Sequence, residues 1–129
     1  MKKFTLFLLA VFALGLTGCS KDAEINSFLT EWDSVTNEMV TKIEAGDIAG
    51  AKTVFDAKKE SLKKGWDGVK TARGMQVSEE TKKKMDASVQ KNMSNLMSSM
   101  QKGAMKIGAD RAKADQLQAL IKEYGEIFK

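Results

Sequence analysis

Apolar residues recur at spacings of three and four along almost the whole chain after about residue 23, and strand-type alternation is absent. This spacing places apolar side chains on one face of an α-helix. The pattern predicts four helices, over residues 23–45, 48–72 and 79–107 and from Asp110 towards the C-terminus. Because the connections are short, we expect an all-α fold, an antiparallel up-down-up-down four-helix bundle.

Residues with strong preferences for helix ends interrupt this pattern. Gly46 is a candidate C-cap for the first helix, and Asp47, Ser78 and Asp110 are candidate N-caps for the following three. With so short a connection at Gly46, residues of the first two helices whose numbers sum to about 93 or 94 should lie opposite each other. We therefore expect the end of the second helix to pack beside the start of the first.

Aromatic residues should gather at that same end of the bundle. The hairpin register places Trp66 near Phe28, and Tyr124 and Phe128 end the fourth helix at the same level. We expect these rings to form a layer of the core, and the alternative is that they line a small lipophilic pocket.

A different pattern occupies the first 19 residues. Lys2 and Lys3 precede an apolar run over residues 4–16, which ends in Leu16-Thr17-Gly18-Cys19. As a helix the run would span about 20 Å, which is too short for a membrane-crossing helix and typical of a signal peptide. An aliphatic residue and two small residues before a cysteine resemble the lipobox of bacterial lipoproteins.

This resemblance implies a signal peptide over residues 1–18, a lipidated tether over 19–22 and a helical bundle domain over 23–129. Cys19 would begin the mature chain and carry acyl groups such as palmitate, and two or three acyl chains suffice for stable membrane attachment. The resemblance also implies the bacterial cell envelope as the location. Ser20 favours the outer membrane, on its periplasmic face or at the cell surface.

Charge is unevenly distributed along the mature chain. The net charge of +4 falls to +2 without Lys2 and Lys3, but residues 21–47 sum to −5 and residues 58–84 to +5. The turn after the second helix should lie near the membrane, where cations meet anionic headgroups. We therefore hypothesise a membrane-facing basic collar, and the alternative is that these cations are paired or solvated. The collar residues are Lys70, Arg73, Lys82, Lys83 and Lys84.

Composition argues against catalysis. The chain has no histidine and one cysteine, so it lacks an imidazole base, histidine metal ligands and an internal disulfide. We expect three pairs of nearby carboxylates to be solvated rather than catalytic: Glu31 with Asp33, Glu79 with Glu80, and Glu123 with Glu126. We predict that the protein is not an enzyme, uses no cofactor or resident metal, and does not bind nucleic acid.

Methionines are concentrated in the predicted third helix. Their spacing suits a bundle core, in which methionine fills irregular gaps, and we expect most of them to be buried. Alternatively they form an adaptable surface for a hydrophobic ligand, or a soft thioether site for Cu(I) or Ag(I). The residues concerned are Met85, Met93, Met97, Met100 and Met105.

Taken together, these features predict a lipid-anchored envelope protein that acts as a binding or structural module through a helical surface. Its partner would be another envelope protein or an extracellular protein. The alternative function is a periplasmic carrier or chaperone for a hydrophobic ligand, or a carrier of a soft metal ion, that uses the methionine-rich helix.

Overall fold

The computed structural model describes residues 20–72 and 76–129, and within these ranges it contains four α-helices and no strand. The helices are α1 (Asp22–Glu44), α2 (Ile48–Thr71), α3 (Glu79–Ile107) and α4 (Arg111–Glu126). The prediction of an all-α, four-helix protein is confirmed. Cys19 and Arg73 lie outside the described residues, so their predicted roles stay predictions.

The helix ends follow the local chemistry of the sequence. The side chains of Asp47, Ser78 and Asp110 each accept a hydrogen bond from the backbone N–H three residues later, at 2.9, 3.2 and 3.2 Å. These bonds satisfy backbone donors that the first turn of a helix leaves free. Gly46 follows α1 with φ of +79°, a conformation that favours glycine.

Residues early in α1 contact residues late in α2, as the short connection predicts. The rings of Phe28 and Trp66 lie 6.1 Å apart between centroids. Gly65 permits this approach, because a Cβ there would lie 2.6 Å from Cδ2 of Phe28. The small residue therefore makes room for the aromatic side chain across the helix pair.

The first and third helices begin at the same end of the molecule. Near their starts, the backbone N–H of Ser78 donates to Oδ1 of Asp22 at 2.9 Å. Near their ends, Nζ of Lys102 lies 3.2 Å from Oε1 of Glu44. Since both contacts join residues at matching levels, α1 and α3 run in the same direction where they pack.

Tyr124 joins α4 to the core through its hydroxyl group. It accepts a hydrogen bond from Nε1 of Trp32 at 2.5 Å and shares one with Oγ1 of Thr36 at 2.8 Å. Its ring also packs against Phe55, with centroids 6.2 Å apart. Burial raises the pKa of the Tyr124 phenol, because the charged form would lose its hydration.

The predicted aromatic layer is present where α1, α2 and α4 meet. Phe128 lies 4.9 Å from Trp32 and 5.3 Å from Trp66 between ring centroids. Phe28 and Trp32 are buried, while Trp66 and Phe128 are half-buried. These rings pack on one another, which supports the core interpretation of the layer.

Candidate binding surface on the third helix

α3 turns a mainly polar and small-residue face towards the protein interior. Only one large apolar side chain, that of Leu96, is fully buried on this helix. The buried residues of α3 are Thr81, Ser88, Asn92, Leu96, Ser99 and Gly103. Small side chains at these positions let the backbones of α1 and α3 approach closely.

The contact at Gly103 determines how closely the backbones of α1 and α3 approach each other. A Cβ on this residue would lie 2.8 Å from both Cγ2 and the carbonyl oxygen of Ile43. Real Cβ atoms do not come that close to a backbone oxygen, so α3 can present only a glycine here. The rotation of α3 about its axis is thereby constrained.

A hydrogen-bonded cluster fixes the middle of the same interface. Oδ1 of Asp33 accepts from Nδ2 of Asn92 at 2.8 Å, and its Oδ2 lies near Oγ of Ser88 (3.4 Å) and Nζ of Lys91 (3.5 Å). Asn92 is fully buried, and its own Oδ1 has no hydrogen-bond partner among the described residues. The prediction that Asp33 is simply solvated is therefore wrong, because its carboxylate holds the α1–α3 interface.

The predicted burial of the methionine stripe is wrong for most of its members. Met93, Met97 and Met105 are 41%, 68% and 79% exposed, and Val89 is 45% exposed. The physical reason is that the close α1–α3 contact selects the small-residue face, which turns the larger apolar side chains outwards. Met85 and Met100 are half-buried.

Beside these exposed side chains, uncharged residues form a regular seam along α3, of which Met100 and Ile107 are half-buried. We call it the methionine seam, and its members follow one another at alternating spacings of three and four. They are Gln90, Met93, Met97, Met100, Ala104 and Ile107. Alternation of this kind is the heptad pattern by which one helix packs against another. Gln90 gives no apolar signal in the sequence, because its side chain is polar.

The part of α3 around the first half of the methionine seam carries almost no charge. Between Ala87 and Gln101 the only charged residue is Lys91, and its ammonium lies 3.5 Å from the carboxylate of Asp33. In a chain with 29% charged residues, this uncharged exposed surface is unusual. Neighbouring exposed apolar side chains on an uncharged surface are characteristic of sites where another molecule binds.

The described residues of the predicted basic collar lie near the end of α2 and the start of α3, and most of them are paired locally. Nζ of Lys82 lies 3.0 Å from Glu79, and Nζ of Lys84 lies 3.3 Å from Glu80. Lys70 pairs with Asp67 at 3.5 Å. Lys83 has no ion pair among the described residues. The membrane-facing role of these cations stays a prediction.

Asp22, at the start of α1, contacts the residue that precedes α3. The backbone N–H and the hydroxyl of Ser78 hold the pKa of the Asp22 carboxyl below its ordinary value. The backbone N–H of Lys21 also donates to the carbonyl oxygen of Gln76 at 2.8 Å. These contacts tie the start of α1, where the chain leaves towards Cys19, to the start of α3.

Open grooves flank α1 on its outer side. One lies between α1 and α2 and is lined by Thr30, Ser34, Val35 and Thr53 among others, and another lies between α1 and α3 beside Asp33. No methionine lines either groove. In the part of the chain that the structure describes, no helix is long and apolar enough to span a membrane. Nor do three or more of its carboxylates gather as a metal site would require.

Comparison of the chain with protein-family models, with curated proteins and with solved structures finds no match.

Proposed function

We propose that this chain is a lipid-anchored protein of the bacterial cell envelope that acts without catalysis, by binding a protein partner through the methionine seam. The observation that carries the proposal is the exposure of Met93 and Met97, at 41% and 68%, on a surface that lacks charge. Leaving these side chains in water forgoes the hydrophobic stabilisation that burial would provide. Methionine also adapts its shape to a partner, because its side chain is long, unbranched and polarisable.

The anchor would come from Cys19, which the lipobox resemblance supports. Only Ser20 and Lys21 separate this residue from the first turn of α1, a distance of about 10 Å when extended. The bundle would therefore stand close to the bilayer, with the starts of α1 and α3 at its membrane-proximal end. We place it in the outer membrane on the basis of Ser20.

The anchor is tested by labelling cells with a palmitate analogue. The Cys19→Ala variant should lose the label and leave the membrane fraction, whereas the Ser20→Ala variant should keep both properties. Retention of the label in Cys19→Ala would contradict lipidation at this residue.

The binding surface is tested by chemical crosslinking of intact envelopes, with Met97→Glu and Ser98→Glu as a matched pair. Both residues are exposed, so neither variant should alter folding, but only Met97 belongs to the methionine seam. We expect crosslinked adducts of the parent protein to disappear in Met97→Glu and to persist in Ser98→Glu. Adducts that survive unchanged in Met97→Glu would contradict the proposed function.

A carrier for a hydrophobic ligand has less support. The exposed methionines lie on an open helix face, and the grooves beside α1 are lined by other residues. A carrier should bind an apolar dye while folded, and that binding should not depend on partner proteins. Strong dye binding by the folded, purified protein would favour the carrier over the binding module.

A further inference from the structure

We propose that the methionine seam pairs with the same seam of a second copy of this chain, so that two α3 helices pack in parallel about a two-fold axis. The proposal rests on the function proposed above and names the partner. It follows from the pattern of the seam, the charge around it and the end of the molecule from which the chain leaves towards Cys19.

The pattern of the methionine seam is that of a helix that meets another helix. From Gln90 to Ile107 the spacing alternates between three and four without interruption, over about 26 Å of helix. Two exposed, uncharged residues, Ser94 and Gln101, lie at the outer border of the seam. Two such faces can therefore approach closely without burying a charge.

The absence of charge restricts the chemistry of the partner. A charged surface placed against the methionine seam would lose its hydration and gain no opposite charge in return. The grooves of this protein do not match, because Glu31, Glu38 and Lys58 line one of them and Asp33, Lys84 and Lys91 line the other. A second methionine seam has the required chemistry.

Anchoring then fixes the direction of pairing. α1 and α3 start at the same end, where Ser78 donates to Asp22, and the chain leaves from this end towards Cys19. Two copies anchored in one membrane leaflet must point the same way. Their α3 helices therefore run in parallel, since an antiparallel pair would place the two anchors at opposite ends of a helix about 43 Å long.

Charge limits the contact at the base of the methionine seam. Lys83 and Asp86 continue its spacing towards the membrane. In a parallel two-fold pair each of these residues would face its own counterpart, and facing like charges are destabilising. The contact between the two copies therefore extends from Ile107 to Gln90 and ends before Asp86.

The size of the contact predicts how the dimer behaves. A single pair of helices of this length buries less than the roughly 1,200 Å² typical of stable complexes, which is the range of weak association. Confinement of both copies to one membrane raises their effective concentration. Dimers should therefore form in membranes and dissociate in dilute detergent.

The test is disulfide crosslinking of full-length, single-substitution variants in membranes. Gln90→Cys and Ala104→Cys lie near the two ends of the methionine seam, Met97→Cys lies at its middle, and Ser98→Cys is an exposed control off the seam. The parent chain controls for Cys19. We expect Gln90→Cys, Met97→Cys and Ala104→Cys each to give at least ten times more disulfide dimer than Ser98→Cys.

Three outcomes would overturn the proposal. Crosslinking by Met97→Cys alone would indicate an antiparallel pair, and equal crosslinking by Ser98→Cys would indicate random collision. Absence of dimers in all variants would mean that no second copy covers the seam. In that last case, the parent protein could still form crosslinked adducts with a different protein. If Met97→Glu abolished those adducts, the proposed binding function would stand without the dimer.

Discussion

Gly103 of α3 lies directly against Ile43 of α1, with room for a hydrogen but not for a methyl group. A Cβ built on Gly103 would lie 2.8 Å from the carbonyl oxygen of Ile43, which belongs to the rigid backbone of the neighbouring helix. This contact, together with the hydrogen bonds that Asp33 accepts from Ser88 and Asn92, keeps the small-residue face of α3 against α1 and the methionines outside. It also gives the first prediction, because glycine at this position is required by packing rather than by backbone conformation.

Gly103→Ala should destabilise the fold by about 1–3 kcal/mol, the usual cost of overpacking a close contact. Alanine favours a helix by about 1 kcal/mol over glycine, so the clash must exceed that gain. Gly125→Ala is the matched control, because a Cβ at Gly125 meets no atom within 4 Å. Denaturant unfolding should show a lower midpoint for Gly103→Ala and an unchanged or higher midpoint for Gly125→Ala. Equal midpoints would contradict this account of α3.

Asp33→Ala should cost about 1–3 kcal/mol of unfolding free energy, because it leaves the buried amide of Asn92 without its acceptor. Glu38→Ala is the control, since Glu38 is an exposed carboxylate on the same helix and has no ion pair among the described residues. Thermal unfolding followed by circular dichroism measures both variants. A loss in Glu38→Ala as large as that in Asp33→Ala would show that the effect reflects charge alone.

Local signals in the sequence predicted the helices and their ends. Asp47, Ser78 and Asp110 cap α2, α3 and α4 as expected, because capping depends only on residues within one turn. The contact between Phe28 and Trp66 was also predictable, since a short connection determines the register of a hairpin. These features need no knowledge of the rest of the fold.

The rotation of α3 could not be predicted from hydrophobicity. Its apolar stripe and its small-residue stripe lie on neighbouring faces, and the close contact between Gly103 and Ile43 decides which of them packs on α1. A signal was present in the spacing of Ser88, Asn92, Ser99 and Gly103, which share one helix face. Hydrophobicity alone assigns such a face to solvent, because most of its residues are polar or small.

Tyr124→Phe should destabilise the protein by about 1–3 kcal/mol, because it removes the acceptor for the indole N–H of Trp32 and the partner of Thr36. Thr36→Val is the companion variant, and it leaves the bond between Trp32 and Tyr124 in place. We expect denaturant unfolding to show a smaller loss for Thr36→Val than for Tyr124→Phe. The reverse order would mean that the Trp32 bond contributes little.

Tyr124 should also make the fold sensitive to alkaline pH. Burial raises its pKa above the ordinary value of 10.0, so the folded state holds the phenol proton to higher pH than the unfolded state does. The free energy of unfolding that this shift contributes is fully present below the pKa of the phenol in the unfolded chain. It is lost as pH rises through the pKa of the phenol in the folded protein.

This sensitivity can be measured directly because Tyr124 is the only tyrosine in the chain. Tyrosinate absorbance should stay below half of its final value at pH 10 and should rise together with the loss of helical circular dichroism. Lysine side chains also lose their protons at alkaline pH, and the Tyr124→Phe variant measures their contribution to unfolding alone. Above pH 10 the free energy of unfolding should fall less steeply in this variant than in the parent protein. Half-titration of the phenol at pH 10 in a fully helical protein would contradict the buried, hydrogen-bonded position of Tyr124.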